Sequence, residues 1–162
     1  MSDNVRLSPQ YFHFLLPPNL PGPNQVTNGD FASGNINGWM IAGDGDLYSG
    51  DYSIYVCVKS SGNAYTTFSQ TVPATNAGGT YIFSITYSLL EFDRGSTVVC
   101  SLGGTQFNLP TDNPSSSQTY VNTFTAESAS TLLSCTSTIP VSNSPVYANR
   151  FYFSDIKVQQ CL

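Results

Sequence analysis

Asn28-Gly29-Asp30-Phe31-Ala32-Ser33-Gly34, closing on Gly38-Trp39, is the stretch around which this chain is organised. Asn-Gly is the strongest short turn signal, because both residues tolerate a positive φ. Phe31 is a large apolar side chain that has to bury. The segment between Gly34 and Gly38 lets the chain swing back before Trp39, the only tryptophan, covers the same core. Everything after Trp39 reads as short strands separated by turns. The stretch is therefore read as the knot that closes an all-β domain.

Working outward, residues 53–58 alternate, with Ile54, Val56 and Val58 on one face and Tyr55 and Cys57 on the other. Residues 64–73 form another strand, ended by Pro73. Residues 80–90 give the clearest strand: Tyr81, Phe83, Ile85, Tyr87 and Leu89 face one way and Ser84, Thr86 and Ser88 the other. That pattern is one buried face and one hydroxyl-lined face. Gly103-Gly104 turns a strand over 96–102 into one over 105–109. Further strands are read over 120–126, 131–137 and 149–159, with Phe124 inward. In the last of these Phe151 and Phe153 are in phase, and the phase then changes to Ile156 and Val158, which predicts a bulge near Asp155. No stretch keeps a helical period over three turns. Eight or nine short strands with regular turn signals mean a sandwich or barrel, and we expect an antiparallel β-sandwich.

On the N-terminal side, residues 1–24 hold Pro9, Pro17, Pro18, Pro21 and Pro23. Prolines at that density forbid a helix and favour an extended chain. Tyr11, Phe12, Phe14, Leu15 and Leu16 are too apolar for a free tail. The expectation is a proline-rich arm over 1–24, lying across the sandwich domain of 25–162 or across a partner, including a second copy of the chain.

Composition narrows the function classes. The 162 residues suit one domain, long enough to bury about two-thirds of its unfolded surface. Only 9% are charged, with five Lys+Arg against ten Asp+Glu and no basic run, so no phosphate-tracking patch exists for nucleic acid. The net charge of -5 opposes anionic membranes, and no apolar run approaches the ~20 residues that span a bilayer. The composition is that of secreted proteins. Residues 11–16, however, are too short and too interrupted by His13 for a secretory apolar core, and no Asn-X-Ser/Thr acceptor occurs, so a cytoplasmic location stays open. Cys57, Cys100, Cys135 and Cys161 allow three pairings and lack metal-type spacing. Asp44-Gly45-Asp46 lacks the acidic spacing of an EF-hand loop and reads as a turn.

Taken in order, Asn28-Gly-Asp-Phe with Gly38-Trp39, Tyr48-Ser-Gly-Asp-Tyr-Ser-Ile-Tyr-Val, Phe68-Ser-Gln-Thr-Val-Pro, Gly79-Thr-Tyr-Ile-Phe-Ser-Ile-Thr-Tyr and Phe151-Tyr-Phe-Ser-Asp-Ile-Lys-Val resemble the galactose-binding-like jelly roll. The nearest group is the CenC-type carbohydrate-binding modules in their fungal versions. The resemblance implies two antiparallel sheets and a sugar site on a concave face or at loop tips. It also implies a structural calcium near the knot, held at Asp30, the turn at Asp51, and Asp155. Ala32 stands where that family carries its usual Glu, which removes one charged ligand.

A sugar site needs an aromatic ring for the apolar face of a pyranose and amides, hydroxyls or carboxylates for its hydroxyls. The candidates are Trp39, Tyr48, Tyr52, Tyr65, Tyr87 and Tyr147, with Asn122, Gln106, Asp93 and Arg94 as polar partners. The expected function is a non-catalytic carbohydrate-binding module or small lectin whose partner is a glycan. The alternative is an intracellular jelly-roll enzyme, a cyclase or isomerase, or a binding protein for an apolar metabolite held in the sandwich. It would use His13, Glu91, Asp93 and Arg94. No nucleophile triad, phosphate loop or dinucleotide fingerprint is present.

Overall fold

The computed structural model describes residues 21–43, 45–50, 53–58, 64–73, 75–90, 95–111, 116–139 and 149–162. Within them the chain is all-β, in two antiparallel sheets and without a helix. The strands are β1 (Pro21–Asn24), β2 (Met40–Gly43), β3 (Gly45–Gly50), β4 (Ser53–Val58), β5 (Ala64–Val72) and β6 (Thr80–Leu90). They continue with β7 (Thr97–Leu102), β8 (Thr105–Leu109), β9 (Gln118–Thr125), β10 (Thr131–Ile139) and β11 (Asn149–Cys161). One sheet runs β3-β4-β11-β6-β9 with β1 also on β11, and the other runs β2-β5-β10-β7-β8. The pattern is a jelly-roll β-sandwich, as expected.

The period-2 pattern of β6 explains why it lies inside its sheet, between β11 and β9. Tyr81, Phe83, Ile85 and Tyr87 are buried, while Ile82, Ser84, Thr86 and Ser88 alternate with them on the outer face. The facing sheet supplies Phe68, Val72, Val98, Leu102, Phe107 and Leu133 to the same core. Cys100 and Cys135, directly opposite on β7 and β10, form a disulfide inside it, which selects one pairing for these two of the four cysteines. Cys161 is free, and the side chain of Cys57 lies outside the described residues.

Three strands were not legible in the sequence, β2 among them. β1 carries two prolines, yet it pairs with the end of β11 at Pro21↔Cys161 and Asn24↔Gln159. An edge position makes this cheap, because a proline that lacks an N–H on the solvent side loses no ladder bond. β1 therefore extends the paired structure back into the proline-rich lead. β3 is Gly-Asp-Leu-Tyr-Ser-Gly, poor in β-formers, and is held by its hairpin register against β4 from Gly45↔Val58 to Gly50↔Ser53. Residues 1–20 of the arm lie outside the described residues.

The knot at 25–39 closes the sandwich as expected. Phe31 is fully buried and Trp39 nearly so, and their rings stand 5.7 Å apart. Trp39 meets Phe68 of β5 at 5.5 Å, and Phe68 meets Phe153 of β11 at 4.8 Å, so the knot plugs both sheets. Asn28, at φ 50°, accepts the bond from the Trp39 indole N–H on its carbonyl at 3.3 Å. Gly29 packs so closely on β11 that a Cβ there would lie 2.1 Å from the Ile156 carbonyl oxygen. Its own carbonyl accepts from Ile156 N–H at 2.8 Å. That contact falls on the predicted bulge: the β11–β6 register shifts between Ser154 and Lys157, and Asp155 has φ 49°. The Asn24 amide bridges the same place, donating to Ile156 O and accepting from Val158 N–H.

Candidate functional site

The outer face of the five-stranded sheet is built from the residues that alternate with the core. On β5, Thr66, Phe68, Gln70 and Val72 point inward, which leaves Tyr65, Thr67, Ser69 and Thr71 outward. Registers carry this across the sheet in rungs. One rung is Met40–Ser69–Ser134–Ser101–Gln106, the next is Ala42–Thr67–Thr136–Val99–Asn108, and a third is Tyr65–Thr138–Thr97. At ~4.8 Å per strand and ~7 Å per rung, the platform measures roughly 19 by 14 Å. That is room for an extended ligand rather than a single small ring.

The chemistry of this face is neutral throughout, with Met40 and Leu132 as exposed apolar side chains among the polar ones. Hydroxyls dominate its middle, and the Thr67 and Thr136 hydroxyls bond each other at 2.8 Å. Amides of Gln106 and Asn108 stand on the edge strand β8, both exposed. Tyr65 is the exposed aromatic, with 51% of its surface open. None of the five strands contains Asp, Glu, Lys, Arg or His. The sheet therefore offers many neutral donors and acceptors and one ring. At the end of the face, Thr97, Val98, Asn108, Leu109, Pro110 and Thr111 line a shallow groove of about 470 Å³.

The structure separates the residues proposed from sequence. Tyr65 and Gln106 share this face. Tyr87 does not offer its ring to a ligand: it is 2% exposed, faces the core, and donates its hydroxyl to Pro110 O at 2.6 Å. Alternation places a tyrosine on a face but does not reveal that its hydroxyl is already used. Trp39 is likewise structural. Asn122 is exposed on edge strand β9 of the other sheet, where its amide donates to the Tyr120 hydroxyl at 3.0 Å. Tyr48 lies in β3, with its side chain outside the described residues, as are Tyr52, Asp93, Arg94 and Tyr147 entirely. Ser69, Ser134, Ser101 and Asn108 were missed. Their signal, outward hydroxyls and amides at period 2, becomes a site only once the register aligns the strands.

Two of the calcium ligands implied by the resemblance, Asp30 and Asp155, fall among the described residues. Asp30 uses its carboxylate to accept from Ala32 N–H at 3.2 Å. Asp155 is paired with the Lys157 ammonium at 2.6 Å, which already supplies a cation. Asp51 lies outside the described residues. Among those described, no three His, Cys, Asp or Glu side chains come together as a metal would need. No described helix is long and apolar enough to cross a membrane.

The fold is similar to solved carbohydrate-binding modules of the β-sandwich kind. TmCBM61, solved in complex with β-1,4-galactotriose, matches with a TM-score of 0.61 at 11% identity, covering 86% of this chain and 99% of that one. The N-terminal cellulose-binding domain of Cellulomonas fimi β-1,4-glucanase C matches with a TM-score of 0.57 at 17% identity, covering 86% and 99%. The enzymatically active domain of bacteriophage CBA120 tailspike protein 4 matches with a TM-score of 0.63 at 15% identity over 85% of this chain. This chain spans 21% of that tailspike chain. At these identities the likeness shows the fold, a jelly-roll sandwich like that of carbohydrate-binding modules. No protein-family model matches the chain, and no curated protein matches it.

Proposed function

We propose that this chain is a non-catalytic carbohydrate-binding module of the CenC type, and that it holds a neutral glycan on the outer face of its five-stranded sheet. One observation carries the reading: a charge-free platform of hydroxyls and amides, five strands wide, with Tyr65 exposed at one end. Sugars present the complementary chemistry, an apolar ring face for Tyr65 and hydroxyls for the Ser, Thr, Asn and Gln side chains. That TmCBM61, a sandwich of similar fold, was solved in complex with β-1,4-galactotriose supports a neutral glycan as the ligand.

The test is calorimetry against soluble β-glucans, xylans and β-galactans. Saturable binding to at least one is expected. Tyr65→Ala should weaken it about tenfold or more, the equivalent of ~1.4 kcal/mol for a lost ring contact. Absence of binding to every neutral glycan, or an unchanged affinity in Tyr65→Ala, overturns the proposal.

A further inference from the structure

The two hydroxyls of Thr66 and Ser137 are fully buried, and neither has a hydrogen-bond partner. They are not scattered. Ser137 and Thr66 are directly opposite on β10 and β5, both on the inner face of the five-stranded sheet. Two isolated hydroxyls side by side in a core are costly, since each has left water without a replacement partner.

The neighbouring pair shows what is missing. One residue along each strand, Thr67 and Thr136 are also directly opposite, and on the outer face their hydroxyls bond at 2.8 Å. Opposed pairs in an antiparallel ladder alternate between a narrow and a wide spacing, so Thr66–Ser137 belongs to the other class. There the hydroxyls do not meet.

Their rung is built from smaller side chains than the one beside it. Across the sheet it reads Gly43–Thr66–Ser137–Val98–Leu109, whereas the next rung inward reads Ile41–Phe68–Cys135–Cys100–Phe107. At one end Thr66 is paired with Gly43, which adds no side chain, and at the other Val98 and Leu109 line the shallow groove.

We infer that Thr66 and Ser137 bind one internal water between the sheets. It accepts from or donates to both hydroxyls and spans the gap that they cannot close themselves. A ligand of this size with both donor and acceptor character is what the pair can satisfy, because two neutral hydroxyls give no preference for an ion. The site is independent of the glycan reading and lies on the opposite side of the same two strands.

A crystal structure of the full chain at high resolution is the first test. A water oxygen within hydrogen-bond distance of both Thr66 Oγ1 and Ser137 Oγ is expected. Hydroxyls bonded to each other or to main-chain carbonyls, with no water between, overturn the inference. Oxygen-17 relaxation dispersion in solution is the second. The wild type should show one more long-lived water than Thr66→Val/Ser137→Ala, a double variant that keeps the shape and removes both polar groups. An equal count in the two proteins overturns it as well.

Discussion

Gln70 shows how much a single buried side chain can decide. It is 4% exposed, lies on β5, and reaches the knot that the sequence places at the centre of the fold. Its Oε1 accepts from Thr27 N–H at 2.7 Å, and its Nε2 donates to Thr27 O at 2.9 Å and Gly38 O at 3.0 Å. The amide thus acts as a piece of backbone that joins an irregular loop to a strand. Gln70→Leu keeps the volume and strands three main-chain groups, each worth roughly 1 kcal/mol or more when left unpaired. A loss of about 3 kcal/mol in the free energy of unfolding is expected by chemical denaturation; a loss below about 1 kcal/mol would mean that water replaces the amide. The knot itself was legible, since Asn-Gly, Phe31 and Trp39 carry local turn and burial signals. Gln70 was not, because a polar residue in an alternating strand reads the same whether it meets solvent or a loop 43 residues away.

At the scale of the elements, the sequence revealed strands where period 2 is strong and hid them where it is weak. β6 and β11 declare themselves through aromatic alternation, and the slip from Phe151 and Phe153 to Ile156 and Val158 marks the bulge that the knot grips. β1 and β3, made of prolines, glycines and polar residues, exist because stronger neighbours offer them an edge. Pairing is the information that periodicity lacks. Register, not spacing in the sequence, brings Cys100 opposite Cys135 on β7 and β10. The disulfide closes a loop 35 residues in separation between two inner strands of the glycan-binding candidate sheet. On loop-closure entropy it stabilises by about 3–4 kcal/mol. Reduction, or Cys100→Ala/Cys135→Ala, should lower the free energy of unfolding by that amount, read from a lower denaturation midpoint. Far-UV circular dichroism should still report a folded β protein under native conditions. Loss of the β signal without denaturant would mean that the sheet depends on the bond to form at all.

Across the whole molecule, charge is divided between the sheets in a way that no local stretch announces. The sequence shows only that 9% of residues are charged. The topology adds that the five strands of one sheet carry none of them, while the other sheet holds Asp46 on β3 and Arg150, Asp155 and Lys157 on β11. Binding on the uncharged face has no ion pairs to screen. Affinity for a neutral oligosaccharide should therefore change less than about twofold between low salt and ~0.5 M, where the Debye length has shrunk to a few ångströms. Acidic polysaccharides find no cation on this face and meet a net charge of -5, so they should bind more weakly than their neutral counterparts at low salt. Calorimetry of one neutral and one uronic-acid oligosaccharide at both ionic strengths reads both effects. A steep salt dependence for the neutral ligand would move the binding site off the five-stranded sheet, because no residue of those strands can supply the charge being screened.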